Sequence, residues 1–258
     1  LAVSVMAKIE EQFDVRLPLV TFIEHTTIFA ISKQIDLALG IPVKEETITA
    51  TSAEEVVMDQ PKTIPLTEGQ TEIWVSHHLQ DEAAKSFNIG SEIILEGDLD
   101  VEAMRAAIRD LVQRHEALRT CINNDGKTQT VFPSIEIEIP YYIWNHLEKA
   151  DLENRIEALK KLEIEQVFDL QSAPLAHFII LKLGEEKHLL LLTMHHILLD
   201  GWSLGVLTED LGKLYQKQVG KKDLHFSTNA QLSDYVNHLE KWSQSAEYQE
   251  SERFWLNQ

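Results

Sequence analysis

The chain has 258 residues, 44% of them hydrophobic, which is enough for one large domain or two small ones with cores of their own and excludes a disordered polymer. Its 42 acidic residues against 23 basic ones give a formal charge of −19, which argues against nucleic acid as a partner, because phosphate binding needs clustered Lys and Arg. Apolar runs such as Leu189 to Leu192 are far too short to span a bilayer, and no basic segment followed by an apolar one opens the chain, so the expectation is a soluble, cytoplasmic protein with no membrane partner.

The opening "LAVSVMAKIEEQF" sets Val3, Met6, Ile9 and Phe13 at helical spacing, so the chain is expected to begin inside an amphipathic helix without its cap. After a turn at "RLPLVTFIEHTT", Thr26 or Thr27 is placed to cap a second short helix carrying Ile28, Ile31 and Ile35. From Gly40 to about Thr63 the text is acidic and threonine-rich, holds two prolines and keeps no period, which predicts an exposed linker and the one domain boundary. Thr67 to Gln70 has capping-box spacing and opens a helix through Ile73 and Trp74. "FNIGSEIILEG" then alternates like a strand, and "DVEAMRAAIRDLV" places Val101, Met104, Ile108 and Leu111 on one helical face. "IEIEI" predicts another alternating strand, and Leu152 to Val167 a charged amphipathic helix.

Two apolar strands follow, "LAHFIILKL" and "KHLLLLTM", separated by Gly184 and the charged Glu185, Glu186 and Lys187. Ser203 is placed to cap the next helix, which turns Leu204, Leu207, Leu211 and Leu214 inward, and "SDYVNHLEKWSQSAEYQESERFWLNQ" is helical to the end. Mixed strands and helices define an α/β domain without an internal repeat.

The second apolar strand ends in "TMHHILLDGWS". Side chains alternate across a strand, so His195 and His196 should face opposite ways and only one can serve a given site. That divergence, and the absence of the four-residue separation with which helical zinc motifs converge two ligands, argues against a metal. The single cysteine, Cys121, excludes an internal disulfide and a thiolate-rich zinc site, and is expected to be buried. An exposed neutral imidazole can take a proton from an amine or hydroxyl at physiological pH. Gly201 lets a turn close tightly and leaves a backbone N–H free to approach a reacting oxygen. Pattern alone nevertheless favours two structural histidines. The chain holds a control in His77 and His78, on a predicted helix with no Asp-Gly at the matching offset, which should be solvent-facing or interfacial.

"MHHILLDGWS" resembles the HHxxxDG signature of condensation domains in nonribosomal peptide synthetases. Other stretches agree in order: "LTEGQTEIW" is similar to the family's opening motif, "RHEALRT" (Arg114 to Thr120) to its second, "FDLQSAPLAHF" to the segment before the histidine strand, and "LSDYV" (Leu232 to Val236) to the motif after it. The resemblance covers the first of the family's two chloramphenicol-acetyltransferase-like lobes, each a mixed sheet with flanking helices. Residues 1–39, above all "IEEQFDVRLPLVTFIEHTTI", resemble the C-terminal helices of a peptidyl or acyl carrier domain whose phosphopantetheine serine falls just before Leu1, with Ser4 an ordinary helix residue. The implied organisation is a carrier remnant at 1–39, a linker at 40–63 and the N-terminal lobe of a condensation domain at 64–258.

The resemblance implies part of a nonribosomal peptide or hybrid polyketide–peptide synthetase that forms an amide between a carrier-tethered acyl donor and an aminoacyl acceptor. No metal or directly bound cofactor is implied, and the phosphopantetheine arms of carrier domains arrive as substrates. The implied partners are the upstream and downstream carrier domains, the second lobe and an adenylation domain of the same synthetase. His196 is the implied base, His195 packs beneath the loop, Gly201 N–H is an oxyanion donor, and Trp202 packs the loop. Asp200 is implied to pair with an arginine, Arg114 or Arg119, which lie five apart on different helical faces so that at most one reaches it. Removing Asp200 would then cost about 3–5 kcal/mol, as breaking a buried pair does. The fragment alone is expected to be inactive. Cyclising relatives carry aspartates where this chain has histidines, whereas epimerising or ester-forming relatives and a non-catalytic docking lobe remain the alternatives.

Overall fold

The computed structural model describes residues 9, 12, 13, 15, 17, 28–39, 60–79, 81–221, 224, 226 and 230–257. The chain divides into two compact units, Leu1–Val56 and Val57–Gln258. In the first, helix α1 (Ile28–Ala38) packs Ile31 and Ile35 against Ile9, Val15 and Leu17. Phe13, expected on the apolar face of the opening helix, is instead 46% exposed. Val3, Met6, Thr26, Thr27 and residues 40–59 lie outside the described residues.

The first described strand of the second unit, β1 (Lys62–Pro65), takes in the last two residues of the stretch expected to be linker, because Lys62 and Thr63 pair with Val131 and Thr130 of β4 (Thr128–Val131). Strand β3 (Thr120–Ile122) completes a three-stranded antiparallel sheet in the order β1-β4-β3. Helices α2 (Glu68–His77) and α3 (Asp81–Ser86) lead into β2 (Asn88–Glu96), followed by α4 (Val101–Arg114) and a 3₁₀ turn at Glu116–Arg119. The larger sheet has the order β2-β7-β6-β5, from β5 (Tyr141–Ile143), β6 (Ala176–Lys182) and β7 (Lys187–His195), with β5 parallel to β6 and the other pairs antiparallel.

This larger sheet is covered on both faces, which is why β7 is an unbroken apolar run instead of an alternating one. Leu190, Leu192 and Met194 face the main core with Met104, Ile108 and Leu111 of α4 and Leu207, Leu211 and Leu214 of α6 (Gly201–Gln218). Leu189 and Leu191 face the other way, onto Leu152, Ile156 and Leu159 of α5 (Lys149–Glu165). β2, at the sheet's edge, keeps the simple alternation.

"IEIEI" is not a strand. Its isoleucines alternate toward the main core, with Ile139 buried, but no neighbouring strand meets its backbone, and the Ile139 carbonyl accepts from Arg105 Nε at 3.1 Å. Alternation reports burial, and pairing needs a partner as well. The closing helical text is two helices, α7 (Leu232–Ser243) and α8 (Ala246–Leu256), the second capped by Ser245. No helix among the described residues is long and apolar enough to cross a membrane.

Candidate functional site

β7 delivers the histidine pair, and the two members part company where the strand ends. His195 is 0% exposed, whereas His196 is exposed and its backbone N–H donates to the Phe87 carbonyl at 2.7 Å. His195 lies against the rings of Phe87, Phe168 and His77, with centroids 5.9, 6.2 and 5.1 Å away. Its Nδ1 accepts from the Ile197 backbone N–H at 3.2 Å, and its Nε2 lies 3.2 Å from His77 Nδ1. Burial, helped by the neighbouring His77 and His196, pushes the His195 pKa down to about 3. His195 is therefore neutral at physiological pH and closed to solvent.

The loop leaving the pair turns inward, with Ile197, Leu198 and Leu199 all buried. It is tied to the opening motif. The Gln70 amide donates to the Ile197 carbonyl at 3.1 Å and exchanges hydrogen bonds of 3.0 and 2.8 Å with the fully buried Gln129 amide. Gln70 can reach there because the capping box forms as its spacing predicts: Thr67 Oγ1 accepts from the Gln70 N–H while Gln70 Oε1 accepts from the Thr67 N–H. Gly126, at φ +62°, closes the β3–β4 turn onto α2, where a Cβ would come within 2.6 Å of the Trp74 ring.

Asp200 does not pair with an arginine. Its carboxylate accepts from the backbone N–H and hydroxyl of Ser203 at 2.8 and 2.7 Å, making Asp200 the N-cap of α6 and Ser203, expected to be the cap, the third helical residue. Those two bonds hold the Asp200 carboxyl below the usual carboxylate range. Arg114 instead meets Asp210, Nε to Oδ2 at 2.8 Å, and lies over the Phe226 ring. Asp210 follows Asp200 by ten positions, about 15 Å along a helix, so an arginine held there cannot reach the cap. Arg119 donates to the Phe132 and Gln113 carbonyls. The stability cost of Asp200→Ala should accordingly be that of a lost cap, about 1 kcal/mol, and not the 3–5 kcal/mol of a broken buried pair. Denaturant melts measure it, and a loss above 3 kcal/mol would restore the ion-pair reading.

The rest of "RHEALRT" fastens α4 to its neighbours. His115 Nε2 donates to Asp210 at 3.0 Å, and Glu116 accepts from the Ser233 N–H of "LSDYV" at 2.9 Å. Gly201 is the first helical residue of α6; a Cβ there meets nothing within 4 Å, so the position needs no tight-turn glycine. Its absent side chain leaves the helix mouth open, where the first N–H groups lack intrahelical acceptors. Trp202, expected to pack the loop, is 58% exposed beside that mouth.

Cys121 is buried as expected, and burial pushes its thiol up. His77, expected to be solvent-facing or interfacial, is half-buried and meets the sealed His195, a contact that its local sequence does not signal. Among the described residues no three His, Cys, Asp or Glu side chains are grouped to hold a metal ion.

A sheet buried on both faces, ending in one buried and one exposed histidine before a helix mouth, has the architecture of a chloramphenicol-acetyltransferase-like lobe. Residues 60–258 match the family described as Condensation domain, and the chain belongs to that family. It is 33% identical over 264 residues to tyrocidine synthase 3 of Brevibacillus parabrevis, covering 99% of this chain and 4% of that protein. It is 29% identical over 261 residues to gramicidin S synthase 2 of Brevibacillus brevis, covering 99% of this chain and 5% of that protein. The chain thus spans less than a tenth of the curated relatives it matches. The starter condensation domain of the rhizomide synthetase RzmA superposes with a TM-score of 0.69 at 20% identity, over 76% of this chain and 49% of that one. The cyclization-docking bidomain of EpoB from Sorangium cellulosum gives 0.65 at 21% identity, over 90% of this chain and 45% of that one.

Proposed function

We propose that this chain supplies the histidine-bearing lobe of an amide-forming condensation domain, an acyltransferase-type enzyme within a nonribosomal peptide synthetase. The observation that carries the reading is the division of the pair: His195 is sealed in the fold, and His196 stands exposed where strand β7 gives way to the open mouth of α6. In the proposed reaction an acceptor amine, tethered through a phosphopantetheine thioester, attacks the carbonyl carbon of the donor thioester. The C–N bond forms, the C–S bond breaks, and the proton lost by the amine passes through His196 to the departing thiolate. Gly201 N–H is the donor offered to the oxyanion as it develops. Tethering both reactants supplies most of the acceleration, since positioned groups reach effective molarities of about 10⁵ M or more. The base adds roughly 10²–10⁴.

On this reading the partners are the upstream and downstream carrier domains, a second lobe that completes the site, and an adenylation domain. Residues 1–39 are the end of the upstream carrier, a reading supported by relatives that align across 99% of the chain. Single-turnover transfer between loaded carriers, in the synthetase that bears this chain, tests it. His196→Ala should lower the rate by about 10²-fold or more. Its melting temperature should hold, because an exposed imidazole leaves no buried group without a partner. Near-native turnover in that variant would remove the base role and leave positioning to carry the rate.

A further inference from the structure

Gln70 and His77 stand seven residues apart on α2, close to two full turns, so both project from one face of the helix. Both also hold the histidine loop: Gln70 through the Ile197 carbonyl at 3.1 Å, His77 through the His195 ring at 3.2 Å. The partners of the two contacts are 127 and 118 residues apart in sequence, and the contacts hold the residues on either side of His196, Ile197 by its backbone carbonyl and His195 by its ring.

The direction of the second contact follows from the first neighbour of His195. The Ile197 N–H donates to Nδ1, which must therefore carry the lone pair, and the proton of the neutral ring then sits on Nε2. A 0% exposed N–H has no water to meet, and the phenylalanine rings around it offer no in-plane acceptor. His77 Nδ1 is the acceptor it finds. Burial, together with the adjoining His78, holds His77 below its ordinary pKa and so in the neutral form that can accept.

We propose that His77 is a positioning residue for His196: by accepting from His195 Nε2–H it fixes the tautomer and orientation of the buried ring, and with them the backbone from which His196 projects. This rests on the reading of His196 as the working histidine. A buried ring free to rotate would release the Ile197 N–H as well, loosening the loop at the point where placement matters most.

Two substitutions separate hydrogen bonding from bulk. His77→Asn keeps an acceptor close to the position of Nδ1, and His77→Phe keeps a ring without one. In this chain labelled with ¹⁵N, long-range proton–nitrogen spectra should show His195 protonated on Nε2 with slow solvent exchange. That signature should persist in the Asn variant and be lost in the Phe variant. In the synthetase, His77→Asn should turn over within about threefold of the parent, while His77→Phe should lose about tenfold in kcat with KM little changed. Equal losses in both variants would mean a packing role, and unchanged spectra and rate in His77→Phe would mean no role; either overturns the proposal, as would a His195 protonated on Nδ1. A parent enzyme indifferent to His196→Ala would instead overturn the proposed function, and the spectra would still decide whether His77 sets the His195 tautomer.

Discussion

The folding stability of this chain should fall steadily as the pH drops from about 6.5 toward 3, by as much as about 5 kcal/mol on account of His195 alone. In the unfolded chain the imidazole titrates at its ordinary value of 6.5, whereas in the fold burial holds it at about 3. Between those values the unfolded state binds a proton that the folded state does not, so each unit of acidification favours unfolding by up to about 1.4 kcal/mol. The contribution is fully present above pH 6.5 and is lost as the pH approaches 3. His77, His115 and His188 are lowered by burial too and act with the same sign. Urea melts at pH 4, 5, 6 and 7 measure the slope, and His195→Asn, which keeps an acceptor for the Ile197 N–H, should flatten it. A parent whose stability is level across that range would show that His195 is not sealed from solvent.

Asp210→Ala should destabilise the fold by about 3 kcal/mol, the largest effect expected of a substitution away from the histidine pair. The Asp210 side chain is 4% exposed and accepts from Arg114 and His115 together, so its removal strips both of the carboxylate they share. Arg114 keeps 24% exposure, which places the cost at the lower end of the range for broken buried pairs. Asp210→Asn retains an oxygen for His115 Nε2–H and should recover part of the loss. A cost under 1 kcal/mol for the alanine would class the cluster with surface ion pairs.

What was legible in the sequence was local. The Thr67–Gln70 capping box, the leucines of α6 and the two-faced burial of β7 follow from spacing and hydrophobicity over a turn or a strand. Ser203 was read as the cap of α6, and only the folded backbone shows that Asp200 leads and Ser203 completes the box as the third helical residue. The partner of Arg114 was beyond reach because Asp200 and Asp210 are equally acidic on paper, and their separation matters only once α4 has docked on α6. "IEIEI" misled for a related reason, since a strand requires a neighbour that its own alternation cannot reveal. The contact from His77 to His195 joins positions 118 apart, and nothing near either residue announces the other.

Two chemically identical side chains sit next to each other in the motif, so identity cannot tell the fold which of them to hide. Counting does. β2 and β7 are joined by nine consecutive rungs that set Asn88 opposite His195 and Ile89 opposite Met194. Sliding β7 by a single residue would carry His196 into the seat between Phe87 and Phe168 and His195 into the buried place of Met194, with every letter of the motif unchanged. Which imidazole the fold seals is therefore a matter of register, kept by a ladder whose far end, Glu96 opposite Lys187, lies at the other end of the strand.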